Sequence, residues 1–308
     1  MRFTLRQLQV FVAVAQQESV SRAAQSLSLS QSATSTALTE LERQTDCQLF
    51  DRAGKRLSLN ALGHQLVPQA VALIDQAKEI ERLLGGKSGF GSLNVGATLT
   101  VGNYLATLLI GSFMQRHPEC RVKLQVHNTA HVVQQIAHYE LDLGLIEGDC
   151  HHPDIEVQPW VEDELVVFCA PSHPLAAAGQ ADLQALSEEA WILREQGSGT
   201  RLTFDQAMRH HPRALNIRLE LEHTEAIKRA VESGLGIGCI SRLALRDAFR
   251  RGSLVAVETP DLDLRRQFYF IWHKQKYQTA AMREFLELCR AMTAGVRRSD
   301  EIVLPPVN

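Results

Sequence analysis

No CxxC pair occurs among the six cysteines of this 308-residue chain, which removes the usual thiolate metal cage and the dithiol redox motif. Cys47, Cys120, Cys150, Cys169, Cys239 and Cys289 are scattered, several inside apolar runs, as buried free thiols would be. Long apolar runs are missing too. Stretches such as "ELVVFCAP" fall far short of the roughly 18 residues that span a bilayer, and "MRFTLRQLQVF" lacks the apolar core of a secretion signal. The chain therefore reads as cytoplasmic, with no membrane partner. Nor is it a polycation: net charge is −3 and the pI about 6.5, so any nucleic-acid footprint must be local. Catalytic constellations are absent from the pattern as well. No Ser/His/Asp set, paired carboxylates or metal spacing stands out, and the adjacent pairs His151–His152 and His210–His211 point their side chains apart. "GSGTR" lacks the GK[ST] ending of a phosphate loop, and "GLGIGC" precedes a strand where a dinucleotide fingerprint would open a helix.

What is present is an ordinary globular composition, 45% hydrophobic and 22% charged, with length enough for two or three domains. Residues 1–60 hold seven Lys and Arg against five acids, a local +2, and three of those cations crowd into "FDRAGKRLSLN". Leu5, Leu8, Phe11, Val12 and Ala15 recur at three- and four-residue intervals, the stripe of an amphipathic helix that "QQES" ends. Ser21 is expected to cap a short second helix with Ala24 and Leu27 inward, and Ser30 to cap a third whose Ala33, Ala37, Leu38 and Leu41 share one face. The opposite face carries Ser32, Ser35 and Thr39, with Thr36 at its flank and Gln31 in the exposed first turn. Spacing alone also allows an unremarkable polar surface helix. Small hydroxyls and an amide at a helix N-terminus nevertheless suit close approach to phosphates and base edges, as the second helix of a helix-turn-helix requires.

The segment from Leu5 to Gly63 resembles the N-terminal winged helix-turn-helix of LysR-type transcriptional regulators. The pair Ala23–Ala24, "SQSA", "LTELE" and "QLFDR" follow that family's pattern, while Ser32 stands where Pro is usual and Ser58–Asn60 replace the family's Thr or Glu before Ala61. Carried over position by position, the resemblance implies DNA contacts at Gln31, Ser32, Ser35 and Thr36, with Arg52, Lys55 and Arg56 supplied by the wing. Gln is chemically suited to the adenine edge, and hydroxyls and Arg to phosphate.

From Asn60 to Leu84 the pattern becomes one long helix. Leu66, Ala70, Leu73, Ala77, Ile80 and Leu84 alternate spacings of four and three, a heptad seam that asks for a partner helix, although a helix packed on its own domain has the same spacing. The resemblance implies a dimerisation helix, because such regulators pair their linker helices over a palindromic site. Pro68 predicts a bend or a looser first turn, and "GGKSGFG" at 85–91 reads as a hinge.

Beyond the hinge, strands and helices alternate. "SLNVGA", "RVKLQVH" and "LDLGLIEG" are strands separated by the helices "NYLATLLIGSFMQRHP" and "AHVVQQIAHYE", two crossover units of a parallel sheet. "DELVVFCAP", "AWILREQ", "NIRLELE" and "GIGCIS" form a second series, and "RRQFYFIWHK" returns before a helix at 279–292. The expected fold is thus an N-terminal all-α winged helix-turn-helix, a long linker helix, and a two-lobed α/β effector domain. Its resemblance is to the periplasmic-binding-protein-like domain of the same family. Expected boundaries are 1–59, 60–84, 85–91 and 92–295, with lobe I at 92–163 and 268–295, lobe II at 164–267, and 296–308 as a tail without assigned role.

Open α/β sheets bind ligands beyond the carboxyl ends of their strands. That rule selects Thr98 and Thr100 after the first strand, Thr129 after the second, Glu147 after the third, Gly197, Ser198 and Thr200 before one helix, and His223 before another. Hydroxyls converging from several helix N-termini cradle a small anion, and the resemblance assigns effector contacts to Thr98, Thr100 and Thr200. Glu147 fits an anion poorly unless it is protonated, offset by Arg201, or met by a ligand's donor. Trp272 is a candidate cleft wall, although a lone aromatic is more often core packing. The expectation is a non-enzymatic, sequence-specific regulator. It binds double-stranded promoter DNA as a homodimer or homotetramer and needs no cofactor or metal. It responds to a small polar, anionic effector such as a sulfur oxyanion (sulfite or sulfate) or small carboxylate, with RNA polymerase as a further partner for an activator. A transport solute-binding protein and an enzyme on the same two-lobed fold are the competing classes; the DNA-binding module and the missing catalytic set count against them.

Overall fold

Thr4 starts the chain's first helix with a reciprocal cap: its hydroxyl accepts from the Gln7 N–H at 3.2 Å while Gln7 Oε1 accepts from the Thr4 N–H at 2.8 Å. The computed structural model describes residues 2–53, 56–85, 90–209 and 215–303, and only the backbone of 52, 53 and 56. Helix α1 (Leu5–Gln17) buries Leu8, Phe11, Val12 and Ala15 of its expected stripe, while Leu5 in the first turn stays exposed, and Glu18 in the left-handed region ends the helix. Helix α2 (Val20–Ser26) is capped by Ser19 instead of Ser21, and Ala23 with Ala24 is its buried pair. Helix α3 (Gln31–Thr45) has Ser30 as cap, its hydroxyl accepting from the Ala33 N–H at 3.1 Å. The buried face is Thr34, Leu38 and Leu41, and Ala33 is exposed. A threonine takes that place because its hydroxyl donates to the Ser30 carbonyl at 3.0 Å and needs no other partner. Strands β1 (Phe50–Ala53) and β2 (Arg56–Leu59) make the antiparallel wing.

Helix α4 (Ala61–Leu84), capped by Asn60, runs as one helix through the buried Pro68. Its face Val67, Ala70, Val71 and Ile74 packs into the core of α1. Ala70 is therefore committed within the chain and drops out of the expected seam. Leu73, Ile80 and Leu84 are exposed, Leu66 and Ala77 half-buried.

Strand β3 (Ser92–Thr98) leads into a continuous helical stretch: α5 (Leu99–Val101), a π-helical turn at Gly102–Ala106, and α6 (Thr107–Arg116). Then follow β4 (Arg121–His127), α7 (Thr129–Ala137), β5 (Leu143–Glu147) and the long β6 (Ile155–Cys169). Helices α8 (Pro174–Ala178) and α9 (Leu183–Glu188) precede β7 (Ala190–Arg194), α10 (Gly199–Ala207), β8 (Asn216–Leu221), α11 (Thr224–Glu232) and β9 (Ile237–Ser241). The remainder is α12 (Arg242–Arg251), β10 (Val255–Val257), β11 (Arg265–His273) and α13 (Ala280–Met292).

The strands run β4-β3-β5-β11-β6-β9-β7-β8, with β10 on β6. The two ends of this array are the two lobes, each a parallel βαβ set as the alternating pattern predicts. β6 and β11 are the strands that cross between them. β11 pairs with the first half of β6 down to Arg265↔Glu164, and from Leu165 onward β6 pairs with β9 instead. Residues 297–302, read from sequence as part of a tail, pack on lobe I: Ile302 enters its core and Ser299 is fully buried.

The N-terminal module docks on lobe I. Tyr139 joins the core of α1 and α4, Gln16 Nε2 donates to the Tyr139 carbonyl at 2.7 Å, and Lys276 Nζ lies 2.7 Å from Asp75 of α4 and 2.8 Å from Asp142. Glu79 accepts from the Tyr277 hydroxyl at 2.8 Å and from the Ala280 N–H at 2.9 Å, neutralising the positive start of α13. Burial alone would lower the Lys276 pKa, but the Asp142 and Asp75 carboxylates raise it. Among the described residues, no helix is long and apolar enough to cross a membrane.

Candidate functional site

Two surfaces carry the residues that the sequence singles out. On α3, Gln31, Ser32, Ser35, Thr36 and Thr39 are all exposed, on the side away from Thr34, Leu38 and Leu41. Ser32 Oγ sits 3.0 Å from the Ser30 hydroxyl, so the cap and its neighbour form one hydroxyl pair at the helix N-terminus. Lys55 and the side chains of Arg52 and Arg56 lie outside the described residues, as do His210 and His211.

The second surface is the seam between the lobes. β5 ends at Glu147 and α7 begins at Thr129 in lobe I; the loop 195–198 and the start of α10 face them from lobe II. Thr129 Oγ1 donates to the Glu147 carbonyl at 3.2 Å and accepts from the Gly199 N–H at 3.1 Å, while the Gly197 carbonyl accepts from the Ala130 N–H at 3.1 Å. Approach is so close that a Cβ on Gly199 would fall 2.0 Å from the Glu147 carbonyl oxygen, and Gly197 adopts φ +87°. Both positions need glycine, one for room and one for backbone conformation.

Below this contact lies a buried charge chain. Thr200 Oγ1 donates to Glu147 Oε1 at 3.1 Å and accepts from Arg266 Nη1 at 3.0 Å. Arg266 Nη2 reaches Glu147 Oε2 at 3.4 Å, and its Nε meets Asp163 Oδ2 at 2.7 Å. Desolvation would lower the Arg266 pKa, yet Glu147 and Asp163 together raise it, so this guanidinium is a fixed cation. Arg201 does not serve Glu147. Its guanidinium goes to Asp205, Glu220 and the Arg194 carbonyl.

Of the expected effector residues, Thr129, Glu147, Gly197 and Thr200 thus come together, with Ser198 between the last two. Thr98 is buried at the end of β3 and Thr100 in α5, Thr98 Oγ1 making a long 3.5 Å contact to the Leu145 carbonyl. His223 is exposed at the start of α11 with no side-chain capping bond. Trp272 does not wall the cleft: it is buried in the lobe I core beside residues of β3, α6 and α13. Among the described residues, Ser198 Oγ and Arg194 Nη1 are buried without a hydrogen-bond partner. Each such atom costs on the order of 1–3 kcal/mol unless something binds it.

Arg266 and Asp163 were missed by the strand-end rule. Their signal was present as charges set into or against apolar strand runs, "RRQFYFIWHK" and "DELVVFCAP", at the expected boundaries between the lobes. The four most buried thiols, Cys120, Cys169, Cys239 and Cys289, are free. Burial pushes Cys169 up to about 11, which keeps it a thiol at neutral pH. No His/Cys/Asp/Glu group of metal-binding size occurs among the described residues.

A winged helix-turn-helix joined by a long helix to two α/β lobes with a polar seam defines a DNA-binding regulator carrying a ligand domain. Residues 5–64 match the bacterial regulatory helix-turn-helix proteins of the lysR family, and residues 87–294 the LysR substrate binding domain. The chain belongs to the LysR-type transcriptional regulators, a family of regulators and not of enzymes. It is 44% identical over 289 residues to YeiE of Escherichia coli (strain K12), described as an uncharacterized HTH-type transcriptional regulator, covering 94% of this chain and 98% of that one. It is also 33% identical to the RuBisCO operon transcriptional regulator of Allochromatium vinosum, covering 93% and 95%. Full-length OxyR from Pseudomonas aeruginosa, solved as a cysteine-to-aspartate variant, shares the fold with a TM-score of 0.72 at 23% identity over 96% of both chains. The regulatory domain of Synechocystis PCC6803 CcmR in complex with 2-PG has a TM-score of 0.63 at 30% identity, covering 67% of this chain and 99% of that one.

Proposed function

We propose that a small polar anion held between the lobes controls how this regulator occupies promoter DNA. The observation that carries the reading is the buried, unpartnered Ser198 hydroxyl at the start of α10. It stands where a helix dipole and free N–H groups favour negative charge. The hydroxyls of Thr129 and Thr200 lie at the same seam, Thr98 and Thr100 are assigned to the site as the remaining hydroxyls, and Arg266 offsets Glu147 so that the acid no longer forbids an anion. The CcmR regulatory domain in complex with 2-PG supports an anionic ligand on this kind of domain; sulfite, sulfate or a small carboxylate has the same donor requirement.

In this reading residues 1–59 contact DNA through Gln31, Ser32, Ser35 and Thr36 and the wing residues Arg52, Lys55 and Arg56. Residues 60–84 pair protomers through the exposed Leu73, Ile80 and Leu84, and 92–295 sense the ligand as a dimer or tetramer. Ligand shifts a pre-existing balance between two arrangements of the lobes and so alters the spacing presented to two half-sites. RNA polymerase is the further partner where the ligand-bound form activates.

A thermal-shift panel of sulfate, sulfite, 2-PG and small carboxylates tests the site, since a ligand that binds the native state alone raises Tm. The expected result is a shift with at least one anion that Ser198→Ala and Thr200→Val diminish. An equal shift in parent and variants would place the ligand elsewhere, and stabilisation by cations alone would reverse the charge assignment.

A further inference from the structure

We propose that residues 297–302 form a strap that fixes the two lobes at their crossing strands, and that Ser299 is a positioning residue for the cleft, acting through Asp163 and Arg266. The strap lies against β6 just before that strand leaves lobe I. The Glu162 N–H donates to the Arg297 carbonyl at 3.2 Å, and Arg298 bridges Glu162 in parallel register. Arg298 Nη2 meets Glu164 at 2.8 Å. Ile302 anchors the strap in the lobe I core, while its carbonyl accepts from Arg246 Nη1 of α12, in lobe II, at 3.0 Å. Six residues therefore touch lobe I, lobe II and the strand that joins them.

The route to the cleft is a chain of hydrogen bonds. The Ser299 hydroxyl, fully buried, donates to Asp163 Oδ1, the oxygen that also accepts from Ser241 Oγ at 2.7 Å. The other Asp163 oxygen holds Arg266, which in turn holds Thr200 and Glu147. Buried carboxylates bind a cation harder when fewer neutral donors satisfy them. Withdrawing Ser299 draws Arg266 toward Asp163 and away from Glu147, leaving the cleft more negative. Seating of the strap thus sets both how firmly β6 and β11 are held where they pass between the lobes and the charge that a bound anion meets. The second half of this inference rests on the anion reading above; the first half does not.

Amide hydrogen exchange on the full chain separates the two. In Ser299→Ala, which retains the Ile302 anchor, exchange at 159–165 and 264–268 is expected to quicken about tenfold, with α11 and its neighbours unchanged. Ser299→Thr keeps the hydroxyl and is expected to restore the parent rates. A stop in place of Arg297 is expected to exceed the effect of Ser299→Ala. Parent-like exchange at both crossing segments in Ser299→Ala overturns the strap, whether or not the shortened chain folds. For the cleft, titration with 2-PG and with sulfate is expected to show several-fold weaker binding in Ser299→Ala and recovery in Ser299→Thr. Equal affinity in parent and Ser299→Ala removes the link to the cleft. If the parent binds none of the anions of the thermal-shift panel, the effector reading fails, and the exchange arm still decides the strap.

Discussion

The face of α3 and the seam between the lobes are both polar, but only one of them is part of the fold. Gln31, Ser32, Ser35 and Thr36 stand exposed on a helix whose stability comes from Leu38, Leu41 and the apolar core of α1. Glu147, Asp163, Ser198, Thr200, Ser241 and Arg266 are buried, and all but Ser198 satisfy one another. A surface of the first kind can be rewritten for a new DNA sequence at little cost in stability. A seam of the second kind ties ligand chemistry to folding energy, because each group removed strands another in low dielectric.

The sharpest way to break that contrast is Arg266→Met. It leaves Glu147 and Asp163 facing each other without their cation, and unfolding free energy is expected to fall by about 4–5 kcal/mol. Adding Glu147→Gln should recover part of the loss, measurable by denaturant unfolding. A variant as stable as the parent would show that the seam is as independent of the fold as α3. Lys276→Met addresses the joint between the two regions and strands Asp75 and Asp142. Both acids keep some exposure, so the expected cost is smaller, about 3 kcal/mol, and lobe I should lose its hold on α4.

Legibility in the sequence follows the same division. The stripe of α1 from Leu8 onward, the Ser30 cap and the exposed hydroxyl face obey local rules, periodicity and capping chemistry, and the structure places them as read, with Leu5 alone of the stripe left exposed in the first turn. Register erred by one residue at Ala33, where Thr34 is buried by bonding its own helix. The heptad at Ala70 fails because α1 claims that position before any partner can. Strand β6 begins at Ile155, ahead of the expected run "DELVVFCAP", and passes through Pro159, which sits opposite Tyr269 beside the register shift between Gln267 and Tyr269, where a missing N–H is tolerated. Helix α12, "RLALRDAFRR", carries too many charges to read as buried, yet Leu243, Ala244, Leu245 and Ala248 face the core. Arg266 shows in the sequence only as a charge in an apolar run and Ser299 not at all, since nothing local shows that residues 103 and 136 positions from Asp163 will meet it.

A smaller effect is expected at the joint as pH falls. His273 Nδ1 accepts from the Gln275 N–H at 3.1 Å and lies 2.9 Å from the Tyr139 hydroxyl, an arrangement that needs the neutral ring. Burial, with His152 and Lys276 nearby, lowers its pKa below the ordinary 6.5 against the opposing pull of Asp154. The unfolded chain then takes up a proton that the native chain refuses, so this contribution is intact above the ordinary value and is lost as pH drops toward the native one. Tm measured between pH 7 and 5 should decline, and His273→Gln, whose amide also accepts from Tyr139, should decline less. Parallel curves for the two proteins would remove His273 from the joint's pH response.

The smallest expected effect on stability belongs to the recognition face, and its smallness is the point. Gln31→Ala and Ser35→Ala remove exposed groups with no buried partner, so unfolding free energy should change by no more than about 0.5 kcal/mol. If α3 reads DNA, the same substitutions should weaken operator binding and flatten its discrimination between sequences, while the steep salt dependence contributed by the wing's cations persists. Loss of stability with unchanged DNA binding would invert the comparison, making α3 a structural helix. Loss of binding at unchanged stability would show that one chain keeps its two polar surfaces under different rules: one free to change with its target, the other held in place by the fold it helps to build.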